Sequence, residues 1–183
     1  VQIRTATPAD ADFFATRLRP SDHEEVAAVV GQGHIRSAIM DSITSSEEGF
    51  CRVAVGADGV PFAVYGASVA PGQPGACIWL VGTPALDRQR KFLLTTCREF
   101  VEEAGERYGF LFNLVAANNT RSVRWLQRLG FTIAAPVEYG IAKQLFHPFY
   151  RPCASLSPPR SRSEAPYSST VCSPAMPTPS ERR

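Results

Sequence analysis

Phe110-Leu111-Phe112-Asn113-Leu114-Val115-Ala116, followed by Ala117-Asn118 and then by Asn119-Thr120-Arg121-Ser122-Val123-Arg124-Trp125-Leu126-Gln127-Arg128-Leu129-Gly130-Phe131, is the stretch whose reading decides the fold. Its first part is apolar on both faces, as in a strand covered on two sides. The spacing then predicts a short helix over 120–129, closed by Gly130 at the position where a left-handed residue ends a helix. Phe131–Ala134 predicts another strand. Upstream, Leu93, Cys97, Phe100, Ala104 and Tyr108 recur at helical spacing, which predicts one helix over 86–108 ended by Gly109. Before it, Cys77–Val81 is a further strand apolar on both faces. Two such strands joined through a helix make a β–α–β crossover and hence a parallel pair.

The N-terminal half has a different rhythm. Gln2–Ala6 predicts a strand, and Thr7-Pro8-Ala9-Asp10 a helix start with Thr7 as N-cap, Pro8 in the first turn and Asp10 closing a capping box. Phe13, Phe14 and Leu18 supply its apolar face, and Pro20 stops it. Ser21 or Asp22 caps a second helix that ends at Gly31-Gln32-Gly33. A third, roughly His34–Thr44, aligns Ile35, Ile39 and Ile43 on one face. The period then drops to two: Cys51, Val53 and Val55 alternate with smaller or charged residues, Asp58-Gly59 signals a hairpin, and Pro61–Val69 returns. Pro71–Gly75 reads as a loop. Ile141–Phe146 is the closing strand. Antiparallel pairs followed by a crossover define an α+β chain, with a mixed, mostly antiparallel sheet of about six to seven strands and about four to five helices.

Composition bounds the rest. The chain has 183 residues, 44% hydrophobic and 20% charged, with a formal net charge of +2, which suits one core and not two. No apolar run approaches the ~18–20 residues that span a bilayer. Residues 1–151 form the expected domain and are neutral. Residues 152–183 hold 7 of the 15 prolines and a dense set of serines, and their four arginines against two glutamates carry the whole excess. Such a segment buries too little to offset its ordering entropy and is expected to be a disordered tail. Cys51, Cys77 and Cys97 lie in apolar segments and Cys153 and Cys172 lie in the tail, without CxxC or Cys/His metal spacing. With no charged-then-apolar leader, this suggests buried thiols, no metal site and no secretion by a signal peptide.

Asn119, the small Ser122, the aromatic Trp125 and Gly130-Phe131, standing after the strand 110–116, resemble the fourth core helix of the GCN5-related N-acetyltransferase (GNAT) superfamily. Residues 1–150 are also similar to a narrower group of GNAT-like proteins of phages and prophages, related to the small internal virion protein of short-tailed coliphages. Arg19-Pro20-Ser21-Asp22-His23-Glu24-Glu25, Trp79-Leu80-Val81-Gly82-Thr83 and Arg121–Leu126 carry that likeness. The resemblance implies that acetyl-CoA lies in a splay between the fourth and fifth strands, here 77–81 and 110–116. Backbone groups at Leu80, Val81 and Gly82, with Asn119 and Ser122, would then hold the pantetheine arm. It also implies a pyrophosphate at the next helix N-terminus, where free N–H groups and the helix dipole favour an anion.

The superfamily's loop there reads Arg/Gln-x-x-Gly-x-Gly/Ala. Here Asp87-Arg88-Gln89-Arg90-Lys91-Phe92 puts bulk at both glycine positions, leaving Arg88, Arg90 and Lys91 to hold phosphate through side chains, or simply to form a solvated basic turn. The family's catalytic pattern uses a base, often a Glu acting through water, and a Tyr that protonates the thiolate. The Tyr position is Leu126, and 77–81 carries no carboxylate. Tyr139 and His147, near the C-terminal strands, are the substitute candidates, although a structural or exposed role explains each more readily. Tyr65, Trp79 and Trp125 read as core, with Trp79 alternatively filling part of an acceptor pocket, and Cys77 as a buried thiol. Arg121, Arg124 and Arg128 share a helix face that is either solvated or anion-binding.

Three functions follow from the resemblance. The first is an acyltransferase moving an acetyl group from acetyl-CoA to an amine, with a degenerate cofactor loop. The second is a non-catalytic virion or morphogenesis protein contacting other phage or host proteins. The third is a CoA-binding module without turnover. The expected setting is the host cytoplasm or the phage particle, with neither nucleic acid nor membrane as partner.

Overall fold

The first helix starts where its sequence says it must. In the computed structural model, which describes residues 1–69 and 72–153, strand β1 (Gln2–Thr5) leads into α1 (Pro8–Ala15). The Thr7 N–H and hydroxyl both donate to Asp10 Oδ2, at 2.8 and 2.9 Å. The Arg4 guanidinium grips the same carboxylate through both oxygens, at 2.8 and 2.6 Å. Burial alone would raise the Asp10 pKa, but Arg4 and Thr7 hold it below the ordinary aspartate value.

Helix α2 (Pro20–Val30) corrects one expectation: its N-cap is Arg19, not Ser21 or Asp22. Pro20 occupies the first turn, where its missing N–H costs nothing, so it starts this helix and does not end the previous one. Asp22 is thereby moved inside the helix and its carboxylate is free to reach another strand. Helix α3 (Ile35–Thr44) buries Ile35, Ile39 and Ile43 as predicted.

Strand β2 (Ser46–Val55) begins five residues earlier than the alternation suggested. An irregularity between Ser46 and Cys51 breaks the period there, which hides the strand from pattern reading. The Asp58-Gly59 turn, with Gly59 at φ +76, returns the chain to β3 (Pro61–Ser68), and β4 (Ala76–Gly82) follows. The long helix expected over 86–108 is instead a 3-10 turn (Pro84–Arg88), a five-residue α4 (Arg90–Leu94) and α5 (Thr96–Tyr108). Phe92 and Cys97 are both buried, yet five residues on a continuous helix would turn them about 140° apart. The break at Thr95 lets both face the sheet.

Strand β5 (Phe110–Ala116) and α6 (Thr120–Arg128) stand where the sequence puts them, with Gly130 at φ +86 after the helix. The predicted strand 131–134 shrinks to β6 (Thr132–Ile133). The expected closing strand becomes a hairpin of β7 (Val137–Tyr139) and a longer β8 (Gln144–Pro152). The interior Pro148 and the polar His147 obscured β8, because neither suits an uninterrupted ladder.

Among the described residues eight strands form one sheet in the order β1-β2-β3-β4-β5-β8-β6, with β7 on β8. All neighbours are antiparallel except the central β4–β5 pair. This is the α+β architecture expected, with a C-terminal β7–β8 hairpin that the sequence under-read. Helices α1–α3 cover one face around Phe14, Ile39, Val53 and Val64. Helices α4–α6 cover the other around Tyr65, Phe92, Phe100 and Leu111. Residues 154–183, most of the predicted tail, and residues 70–71, where the predicted loop begins, lie outside the described residues. Among the described residues no helix is long and apolar enough to cross a membrane.

Tyr65 is core, as predicted: 2% exposed, ring-to-ring with Phe92 and Phe100, its pKa pushed up to about 12 by burial. Its hydroxyl has no hydrogen-bond partner among the described residues. An unpaired buried hydroxyl costs about 1–3 kcal/mol. Tyr65→Phe is therefore expected to stabilise the domain by about 1 kcal/mol, raising Tm by about 2–4 °C. A lower Tm in a thermal melt would show that the hydroxyl is satisfied.

Candidate functional site

Strands β4 and β5 are neighbours for only two rungs, Ala76↔Leu111 and Cys77↔Phe112. At the next position a side chain replaces the ladder: Asn113 Nδ2 donates to the Ile78 carbonyl at 2.8 Å, while Asn113 Oδ1 accepts from the Leu114 N–H at 2.7 Å. Beyond it the strands part. Residues at the centre of an eight-stranded sheet should be covered, yet Trp79, Leu80, Val81, Asn113 and Leu114 are only half-buried. They face a cavity of about 230 Å³ that passes through the gap and touches both helical layers.

Trp79 can lie in this opening because its neighbour on β3 is Gly66. A Cβ there would sit 2.8 Å from the Phe50 carbonyl and 3.0 Å from the Trp79 ring. The indole N–H donates to Ser46 Oγ at 3.3 Å, which fixes the ring over the gap.

The β3–β4 register settles which backbone groups point into the opening. Thr83 N–H bonds the Phe62 carbonyl, so the alternation turns the N–H and C=O of Ile78, Leu80 and Gly82 away from β3 and toward the splay. The Ile78 carbonyl is taken by Asn113. Gly82 is taken twice from α2: its N–H donates to Asp22 Oδ2 at 2.8 Å and its carbonyl accepts from the Arg19 N–H at 2.8 Å. Leu80 is the rung that faces the gap, since the β4–β5 register ends at Cys77.

Helix α2 lies across the opening and is clamped at both ends. At its C-terminus the β7–β8 turn donates Ile141 N–H and Ala142 N–H to the carbonyls of Val29 and Ala28. Gly140 makes this approach possible, because a Cβ there would come within 2.4 Å of the Ala28 carbonyl. At its N-terminus Asp22 binds Arg19 Nε at 2.8 Å, and Arg19 Nη1 reaches Asp87 Oδ1 at 3.0 Å. Arg121 of α6 holds the same Asp87 oxygen at 2.9 Å. Burial pushes the Asp22 carboxyl upward, while Arg19 and the Gly82 N–H pull against it.

One turn along, Glu25 forms no ion pair among the described residues, and the Arg19 charge only partly offsets its burial. Asn119 Nδ2 donates to Glu25 Oε2 at 3.2 Å, and the Ala116 backbone adds a second hydrogen bond. Burial nevertheless raises its pKa from the ordinary 4.5 to about 7, with the Asp22 charge adding to the rise. Glu25 lines the through-sheet cavity and also a second, polar one of about 190 Å³ between α2 and the start of α6. A carboxyl that titrates near neutrality on a cavity wall can take and release a proton at working pH.

The structure brings several of the sequence candidates together. Leu80, Val81, Asn119, Ser122 and Tyr139 all border the large cavity. Asn119 caps α6, accepting from the Ser122 N–H at 3.2 Å, so its two amide atoms serve the helix and Glu25 at once. Tyr139 stands edge-on to Phe146, with ring centroids 5.8 Å apart. His147 is elsewhere: its Nδ1 lies 2.9 Å from the Ala134 carbonyl, and it does not line the cavity. Arg88, Arg90 and Lys91 are exposed around the start of the short α4, without an ion-pair partner among the described residues. Leu126, at the position of the superfamily's Tyr, is buried. In the sequence Asp22 reads as a cap candidate and, with Glu25, as part of a resembling segment, and neither reads as a site residue. Acidic residues three apart on the same helical face as Val26 and Val29 were the available signal.

No protein-family model matches the chain, and no curated protein sequence matches it. Solved structures do. AAC(6')-Ib in complex with ribostamycin and coenzyme A superposes with a TM-score of 0.62 at 15% identity, covering 82% of this chain and 92% of that one. The fold is that of the GNAT acetyltransferases. Spermidine N-acetyltransferase from Vibrio cholerae, in complex with CoA and spermine, gives 0.61 at 13% identity, covering 84% and 95%. A GCN5-related N-acetyltransferase from Kribbella flavida gives 0.60 at 24%, covering 82% and 96%.

Because the folded Glu25 holds its proton up to about pH 7 and the unfolded one releases it near 4.5, this group's contribution to stability falls as pH rises between those values. Glu25→Gln removes that dependence. Its Tm is expected to match the wild type near pH 5 and exceed it by a few degrees at pH 8. Parallel curves across that range would show that the carboxyl is not perturbed.

Proposed function

We propose that the protein is an N-acyltransferase in which Glu25 is the general base. The observation that supports this most is the opening through the sheet centre with an unneutralised carboxyl on its wall. The splay suits the narrow arm of an acyl thioester, with the Leu80 rung turned toward it. The phosphate end has no glycine loop. Arg88, Arg90 and Lys91 would serve there through side chains, with Asn119 and Ser122 beside the arm.

Acetyl-CoA, when bound, supplies an electrophilic thioester carbonyl. Glu25 removes the proton from the acceptor ammonium and frees its lone pair, a task suited to a base titrating near 7. Asn119 and the Ala116 backbone orient the carboxylate, as a second layer of hydrogen bonds does for any catalytic carboxyl. The Leu80 N–H is the backbone donor available to a developing negative oxygen. Tyr139 is the phenol on the same wall and the candidate proton donor to the departing thiolate; His147, outside the cavity, has no part.

A second reading is favoured by one observation: α2 ties down the end of β4. Asp22 consumes the Gly82 N–H, and the Arg19–Asp87–Arg121 chain closes the side by which the arm would enter. Under it the chain is a GNAT-shaped, non-catalytic phage protein whose cleft makes protein contacts in the host cytoplasm or the particle.

Calorimetry of the full chain with acetyl-CoA separates them. The enzyme reading expects a dissociation constant in the range of about 1 μM–1 mM typical of KM values. It also expects thiol release with amines that rises with pH through about 7, and a loss of about 100-fold or more in kcat for Glu25→Gln with little change in donor binding. No binding at millimolar acetyl-CoA, together with recovery of the protein in purified particles, establishes the second reading.

A further inference from the structure

On the α1–α3 side of the sheet the cavity wall is mostly hydrocarbon, from Val26 and Val29 of α2, Ile39 of α3, Trp79 of β4, Leu114 of β5 and Phe146 of β8, and the Ser42 hydroxyl of α3 that also lines it donates to the Ala38 carbonyl at 2.8 Å. Three ionisable side chains from α2 reach it, and two neutralise each other. Asp22 spends one oxygen on Arg19 and the other on the Gly82 N–H, and Arg19 also holds Asp87. That leaves one carboxyl, Glu25, at the end of an apolar chamber. Its other side faces the polar cavity, where Glu24 and Arg121 carry opposite charges.

We infer that the acceptor is a primary amine on an apolar body, an alkylamine or arylalkylamine, seated with its nitrogen at Glu25 and its hydrocarbon against Val26, Val29, Ile39, Trp79, Leu114 and Phe146. This rests on the acyltransferase reading and deepens it. A single ammonium meets a single carboxyl there. A polyamine or a sugar amine would have to bury further cations or hydroxyls against that wall with no partner, and unpaired buried polar groups are costly. The spermine and ribostamycin of two structurally similar proteins are therefore the wrong class for this chamber.

The full chain at pH 8 is titrated, without donor, with propylamine, butylamine, pentylamine, hexylamine, phenethylamine and spermidine, followed by Trp fluorescence and calorimetry. Affinity is expected to rise about fourfold per methylene from propyl to hexyl, the equivalent of about 0.8 kcal/mol per buried methylene. Spermidine is expected to bind at least tenfold more weakly than hexylamine. Val26→Asp, a second carboxylate in the wall, is expected to reverse that order in favour of spermidine. A flat series, or spermidine binding as well as hexylamine, overturns the assignment and points to the polar cavity, and the wild-type series decides this even if the variant fails to fold. Because binding is read without acetyl-CoA, a steep series with no thiol release sinks the acyltransfer step while the chamber stands. Turnover with a flat series does the opposite.

Discussion

Strands β4 and β5 share two rungs and then separate, and the rest of the molecule is arranged around that parting. A parallel pair buried at the centre of a sheet would ordinarily continue its ladder, since unpaired backbone groups in a core cost about as much as a lost hydrogen bond. Here the cost is met group by group. Asn113 takes the Ile78 carbonyl with its side chain, and α2 takes both backbone groups of Gly82. The gap is thus closed at both ends and open in the middle, at Leu80. Trp79, made possible by Gly66 on the neighbouring strand, keeps the opening from collapsing.

Helix α2 converts this gap into a candidate site by carrying two carboxyls with different partners. Asp22 meets a guanidinium and a backbone N–H, so it is structural: it joins α2 to β4 and, through Arg19, Asp87 and Arg121, to α6. Glu25 lies three residues on, facing the same way, and meets only an amide and a backbone group. The separation of roles follows from where the Arg19 guanidinium is spent. Asn119 bridges the two halves of the site, capping α6 and holding Glu25 with the two ends of one amide.

The fold was largely legible in the chain. The apolar strand 110–116, the helix stopped by Gly130, the Asp58-Gly59 hairpin and the Thr7–Asp10 capping box are local signals, each confined to a few residues with a strong conformational preference. The readings that failed involve competition between local and distant demands. The helix 86–108 is broken because Phe92 and Cys97 must both reach the core. The closing strand continues past Pro148 because β5 and β6 supply its ladder from either side. Pro20 sits between two helices, and local rules allow it to end one or begin the next.

The site was legible in part. Leu80, Val81, Asn119, Ser122 and Tyr139, to which the family resemblance points, stand together on one cavity. His147, two residues from the buried Phe149, was named on the same grounds and does not. By itself the sequence determined the order of elements and the register of the motif 119–131, because these are matters of spacing and residue type. Only the tertiary structure decided that Glu25, 94 residues before Asn119, touches it while Arg19 is spent on Asp22 and Asp87. Which carboxyl keeps a cation, and which is left to titrate near neutrality, depends on burial and on contacts between distant segments, and no spacing rule encodes these.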